Sequence, residues 1–148
     1  MFAPPLPANG RADVEPEVPT RGIMRSVGQV TVMDHLMGKP EHSVALYHAF
    51  VGLIAACGDY IVSPSKTTIT FKGTRRGFAG ARPDNQGLVG YLDLQREVAD
   101  PRITSVSPYT KRLFVHHYRI RGHAELDDEF AGWVREAYAV GQGAHLAR

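Results

Sequence analysis

Two adjacent histidines, His116 and His117, interrupt the apolar run Leu113 to Ile120, Leu-Phe-Val-His-His-Tyr-Arg-Ile. Imidazole, with an ordinary pKa near 6.5, exchanges protons around neutral pH. The run reads as a strand, and successive strand side chains point to opposite faces. His116 then shares a face with Phe114, Tyr118 and Ile120, and His117 shares the other with Leu113, Val115 and Arg119. One ring enters a core while the other meets a polar surface or pocket. Because the rings point apart, they do not readily hold one metal ion. That would need His35, His42 or His48 nearby with an acidic residue, so neither metal nor cofactor is expected. A pocket containing His117, Lys66 and Tyr91 could bind a carbonyl or carboxylate, shift a proton and stabilise an enolate-like charge. His117, His116 and Lys66 are therefore the candidate catalytic residues. A one-residue slip in register would exchange the two histidines.

Other motifs carry less. Ser63-Pro-Ser-Lys66 has the Ser-x-x-Lys spacing of penicillin-recognising enzymes, but it precedes a strand where those enzymes need a helix, and no Ser-Asp-Asn follows. Gly73 to Gly80 holds Arg75 and Arg76 without P-loop spacing, and reads as a solvated hairpin turn. Lys72, Arg75, Arg76, Lys111 and Arg112 would make a basic patch if they converged. No helix-turn-helix or RNA-binding signature is present.

The surrounding elements must position these groups. Thr31 reads as the N-cap of a short helix, Val32 to Met37, stopped by Gly38 and Pro40. Glu41 to Cys57 is the longest helical pattern, with Val44, Tyr47, Val51, Ile54 and Ala55 as its buried stripe. His48 lies beside that stripe and reads as a partly buried structural histidine. Short strands follow at Tyr60–Val62, Thr67–Lys72, Phe78–Arg82, Leu88–Leu94 and Ile103–Val106, the last ended by Pro108, and then the His-His strand. Pro83 to Gly87 has strong turn chemistry. Leu126 to Val140 reads as an amphipathic closing helix burying Phe130, Trp133, Val134, Ala137 and Tyr138, with Asp127, Asp128 and Glu129 in its first turn.

Short connections favour antiparallel neighbours. The expected fold is α+β, a largely antiparallel meandering sheet of about five strands with helices packed on one face. The other face would carry Lys66, Thr68, Thr70, Lys72, Tyr91, Asp93, His117 and Arg119. It is cationic and rich in hydroxyls. Thr68, Thr70, Lys72, Tyr91, Asp93 and Arg119 are the candidate ligand-binding residues, and something anionic or planar is the ligand they suit.

Composition bounds the rest. The chain has 148 residues, 43% hydrophobic and 22% charged, with a formal net charge of +2. That is a globular composition, and the charge alone does not argue for nucleic acid. Residues 1–28 hold five of the 10 prolines and no hydrophobic period, and read as a flexible tail preceding a single domain over 29–148. Cys57 is the single cysteine, so no intramolecular disulfide is possible, and a reducing cytoplasm fits. The apolar stretch Val44 to Cys57 is too short to span a bilayer, and no signal peptide is indicated.

Three segments resemble an uncharacterised bacterial family, the domain of unknown function 5655. They are Thr31-Val-Met-Asp-His35 with the Pro40-led helix, Ser65-Lys66-Thr67-Thr68-Ile69-Thr70-Phe71, and Phe114-Val115-His116-His117 paired with Glu125-Leu126-Asp127-Asp128-Glu129. Trp133-Val-Arg-Glu-Ala-Tyr138 resembles the family's closing helix. The likeness covers roughly residues 30 to 141. It implies a small α/β domain similar to bacterial iron-chaperone-like proteins, and marks Lys66, His116 and His117 as the place for a site. It brings no activity.

Three functional readings follow. The first is a cytoplasmic domain that binds a small polar or anionic molecule through the His/Lys-containing sheet face. The second is a cofactor-independent isomerase, cyclase or lyase using His and Lys for proton transfer. The third is a nucleic-acid- or protein-binding accessory domain. A free sheet edge could also pair with a second copy, making a homodimer the favoured assembly.

Overall fold

Thr31 caps α1 (Val32–Leu36). Its hydroxyl accepts from the Asp34 N–H at 3.2 Å, and the Asp34 carboxylate accepts from the Thr31 N–H at 2.9 Å. This reciprocal pair satisfies two backbone donors that the helix leaves open. The computed structural model describes residues 30–146. The tail expected over residues 1–28 lies outside the described residues.

Helix α2 (Glu41–Ala55) buries Ser43, Leu46, Tyr47, Phe50 and Ile54. Its buried stripe is rotated from the expected one. Leu46, Phe50 and Ile54 repeat every four residues and take the centre, whereas Val44 and Val51 sit at the margin and Ala55 is exposed. His48 is exposed too, its ring edge-on to Tyr47. It is not the partly buried residue expected from its place beside the stripe.

The sheet has six strands, one more than the expected five: β1 (Ile61–Pro64), β2 (Ile69–Lys72), β3 (Gly77–Asp84), β4 (Gly87–Leu94), β5 (Ile103–Thr110) and β6 (Leu113–Ile120). All neighbours are antiparallel, in the order β1-β2-β3-β4-β6-β5. The meander therefore holds only through β4. The chain then crosses to the far edge for β5 and returns through β6, which puts the His-His strand inside the sheet. Pro108 does not end β5 as expected. A proline is tolerated on an edge strand, where one row of N–H groups faces away from any partner.

One face of the sheet is covered by α2 and by α3 (Asp128–Gly141). Phe50 from α2 stacks on Tyr118 of β6 at 5.6 Å between centroids and meets Phe130 of α3 at 6.2 Å, so one aromatic cluster joins all three layers. Asp127 caps α3 by accepting from the Phe130 N–H at 2.9 Å. Arg102, nearly buried, ties the segment before β5 to that helix start. Its guanidinium donates to Asp100, Asp127, Glu129 and the Glu125 carbonyl, and lies 4.7 Å from the centre of the Trp133 ring.

At the other end of α3, the Gly141 carbonyl accepts from the Arg75 and Arg76 N–H groups. Gln142 Oε1 accepts from the Thr74 N–H at 3.0 Å. The basic β2–β3 turn is the hairpin expected, with Thr74 and Arg75 exposed, and it is also docked on the helix end, where a positive group suits the dipole.

Two glycines let the sheet carry rings on both faces. Gly80 lies beneath Tyr91 on the open face, where an added Cβ would collide with the edge of the phenol ring. Gly90 lies beneath Tyr118 on the core face, where a Cβ would collide with the Gly80 carbonyl. The Tyr118 hydroxyl donates to that same Gly80 carbonyl at 2.9 Å.

Candidate functional site

Strand register places the open-face side chains in rungs. Arg82, Val89 and Arg119 occupy one rung. Thr70, Gly80, Tyr91, His117 and Ser105 occupy the next. Asp93, Val115 and Ser107 follow. Rungs two residues apart are separated by about 6.8 Å along the strand, and neighbouring strands by about 4.8 Å.

Two adjoining depressions lie on this face. The first, about 490 Å³, is lined by Thr67, Thr68, Arg82, Tyr91, Thr104, His117 and Arg119 among others. The second, about 630 Å³, is lined by Thr70, Lys72, Arg76, Tyr91, Asp93, Tyr109 and His117 among others. They share Tyr91 and His117, whose ring centroids stand 6.4 Å apart at an interplanar angle of 57°. The expected ligand residues Thr68, Thr70, Lys72, Tyr91, Asp93 and Arg119 are thus gathered on one face around His117.

The two histidines separate as strand alternation requires. His117 is exposed on the open face. His116 is fully buried on the other. Its Nε2 accepts from the Val98 N–H at 2.9 Å, so the proton sits on Nδ1, 3.0 Å from the Phe114 carbonyl it faces. Burial lowers its pKa and favours this neutral ring. With both nitrogens engaged, His116 holds the loop between β4 and β5 and lines neither depression. Lys66 also departs from the expected group. It is exposed in the β1–β2 turn, which Ser65 and Thr68 close, and lines neither depression. The structure therefore assembles no His117–Lys66 pair.

Asp93 is the carboxylate that the sheet brings in. It is only 3% exposed. Arg76 Nη2 donates to its Oδ2 at 2.8 Å, while Oδ1 has no hydrogen-bond partner among the described residues. Burial pushes its pKa up to about 6, against the pull of Arg76. Tyr91 is also raised by burial, and a hydrogen bond with Thr70 opposes the shift. Arg119 pairs with Asp84 at 2.6 Å and holds that carboxyl down at about 2. Arg82 has no ion-pair partner among the described residues. The Thr68 hydroxyl is likewise buried and unpartnered among them.

Arg82, Arg76, Thr104 and Tyr109 complete the face. Arg82 closes a stretch of small residues, Ala79-Gly80-Ala81, that hides the strand period. Arg76 stacks its guanidinium 5.2 Å from the Tyr109 ring centre. That contact joins a turn to the far edge strand and has no signal in local spacing. Among the described residues, no group of three His, Cys, Asp or Glu side chains could hold a metal ion. No helix among them is long and apolar enough to cross a membrane.

The arrangement offers Arg82 and Arg119 at one end, aromatic and hydroxyl groups at the centre, and at the other a carboxylate able to change charge near neutral pH, flanked by Arg76 and Lys72. No curated protein and no solved structure matches the chain. A family match spans residues 32–141, from the first helix to the end of the last, and takes in both strands that meet at Tyr91 and His117. The chain belongs to the family described as Domain of unknown function (DUF5655).

Proposed function

We propose that the open sheet face binds a small polar anion at the Tyr91–His117 centre. The observation that carries this reading is an exposed Arg82 guanidinium that, among the described residues, has no ion-pair partner and lines the same depression as Thr68, whose hydroxyl is unpartnered among them. An arginine fork suits carboxylate and phosphate oxygens, and buried polar atoms without partners gain from a ligand that supplies them. A cytoplasmic location belongs to the same proposal, rests on the lone Cys57 and is testable by fractionation. The test of binding is an amide-resolved NMR titration with citrate, inorganic phosphate and AMP. Shifts clustered at Thr68, Arg82, Tyr91 and His117, weakened in Arg82→Ala, support it. Titrations that leave this face unmoved reject it.

Asp93 favours a second reading, a proton-transfer enzyme without a cofactor. A carboxylate with a pKa near neutrality in an open depression suits general acid–base work. It would replace Lys66 and His116 in that role. Proton NMR in D2O would reveal carbon-bound hydrogen exchange in a bound compound. Exchange lost in Asp93→Asn supports turnover, and unchanged spectra for compounds that bind reject it. The nucleic-acid reading has less support, because Arg76 and Arg119 are already paired with carboxylates. A homodimer would use β1, where Ile61 is 62% exposed. Light scattering on wild type and Ile61→Lys checks that pairing; a monomeric wild type ends it.

A further inference from the structure

Asp93 and Arg82 stand at opposite ends of the open face. Two rung steps separate the level of Val89, which Arg82 flanks, from that of Asp93. That is about 13 Å along β4, less whatever the long Arg82 side chain recovers by bending inward. A compact anion such as inorganic phosphate reaches one end only. A ligand that uses both must carry its charge at one end and a hydrogen-bond donor at the other, because Asp93 Oδ1 is an acceptor without a partner.

Local charge decides what that donor is. Arg76 and Lys72 line the depression around Asp93. An ammonium group would sit against two cations, whereas a hydroxyl meets no such repulsion. The centre of the face narrows the choice further. A planar base clasped between Tyr91 and His117 would need nearly parallel rings, yet they are splayed by 57°. Splayed rings with Thr68 and Thr70 alongside suit a puckered or open-chain polyhydroxylated body.

We propose that the ligand is a phosphorylated sugar or polyol, its phosphate on Arg82 and a distal hydroxyl donating to Asp93. This rests on the anion-binding reading above and gives it a substrate class. Such a hydroxyl would convert the buried Oδ1 from an unsatisfied acceptor into a charge-assisted bond while Arg76 retains Oδ2.

The experiment is calorimetric titration of the full chain with sorbitol 6-phosphate, glucose 6-phosphate, inorganic phosphate and AMP. At least one of the two phosphorylated sugars should bind about tenfold or more tighter than inorganic phosphate, the worth of one hydrogen bond to a charged group. In Asp93→Asn, Arg76 claims the remaining oxygen and the amide N–H₂ faces the ligand. The advantage over inorganic phosphate should then fall at least about threefold, as a charge-assisted bond is replaced by a neutral one. A sugar phosphate no tighter than inorganic phosphate overturns the inference and leaves anion binding standing. AMP tighter than both sugar phosphates overturns it in favour of a planar ligand. Failure of every probe to bind overturns both.

Discussion

Neighbouring residues on β6 have opposite duties, and mutation should separate them. His116→Ala removes a buried ring and leaves the Val98 N–H without its acceptor, for a loss of about 2–4 kcal/mol in urea unfolding. His117→Ala touches only the open face and should stay within about 0.5 kcal/mol of wild type. Equal losses would mean the two rings are not divided between core and surface. Asp93 makes a pH prediction. In the fold its pKa is raised from 3.8 to about 6, so the folded chain holds this proton more tightly than the unfolded chain. Its contribution is fully present below about pH 4 and is lost as pH climbs through about 6. Asp93→Asn should therefore raise the melting temperature at pH 7.5, with the gain over wild type vanishing towards pH 4. A uniform shift at all pH values would sink this account. Asp84 acts in the opposite sense: held at about 2 by Arg119, it stabilises above the ordinary carboxylate range and loses that effect as pH falls towards 2. The split of His116 from His117 was legible in the sequence because strand alternation is a local rule. The ion pair of Asp93 with Arg76 was not, because it joins residues 17 positions apart through a bulged register.

Among the elements, β3, β4 and β6 are held together by Gly80 and Gly90 with Tyr91 and Tyr118. Gly90→Ala pushes a methyl into the Gly80 backbone carbonyl, which cannot swing aside, so a cost of about 3 kcal/mol or more is expected by thermal melting. Gly80→Ala meets the Tyr91 ring, which can turn away. It should cost about 1–2 kcal/mol and disturb ligand titrations more than folding. Arg102 is the corresponding fastener between sheet and α3. Arg102→Ala leaves its carboxylates to water and strips a cation from the Trp133 face, for an expected loss of about 2–4 kcal/mol. Hydrogen exchange should quicken first at the start of α3, and unchanged protection there would refute the fastening role. The helices and strands were readable from period and capping, down to the Thr31 cap, whereas Asp127, expected in the first turn of the last helix, is its N-cap. The rotated stripe of α2 was not, because its apolar residues nearly encircle it. The crossing of β5 to the edge was not either, because connection length alone does not say which neighbour a strand chooses.

For the molecule as a whole, the sheet is a partition with unlike sides. Helices seal one side around an aromatic core, and the other holds a row of polar groups set by register. Fold class followed from the order of elements, and the open face followed from alternation along β2, β4 and β6. What could not be read was the distribution of charge over that face. It depends on which cations find carboxylates across the fold: Arg76 and Arg119 do, and Arg82 has none among the described residues.

The shallow, strand-built form of the two depressions has a kinetic consequence. Their floor is backbone fixed from beneath by the Tyr118 hydroxyl, and among the described residues both depressions stand open. A guest held at the exposed groups of such an open face would arrive without a closing step and leave without a gate, which favours a fast off-rate. Residence should be on the order of milliseconds or shorter, visible as averaged rather than doubled NMR signals during titration. If the face binds as proposed, it would sample the concentration around it and would not sequester what it meets.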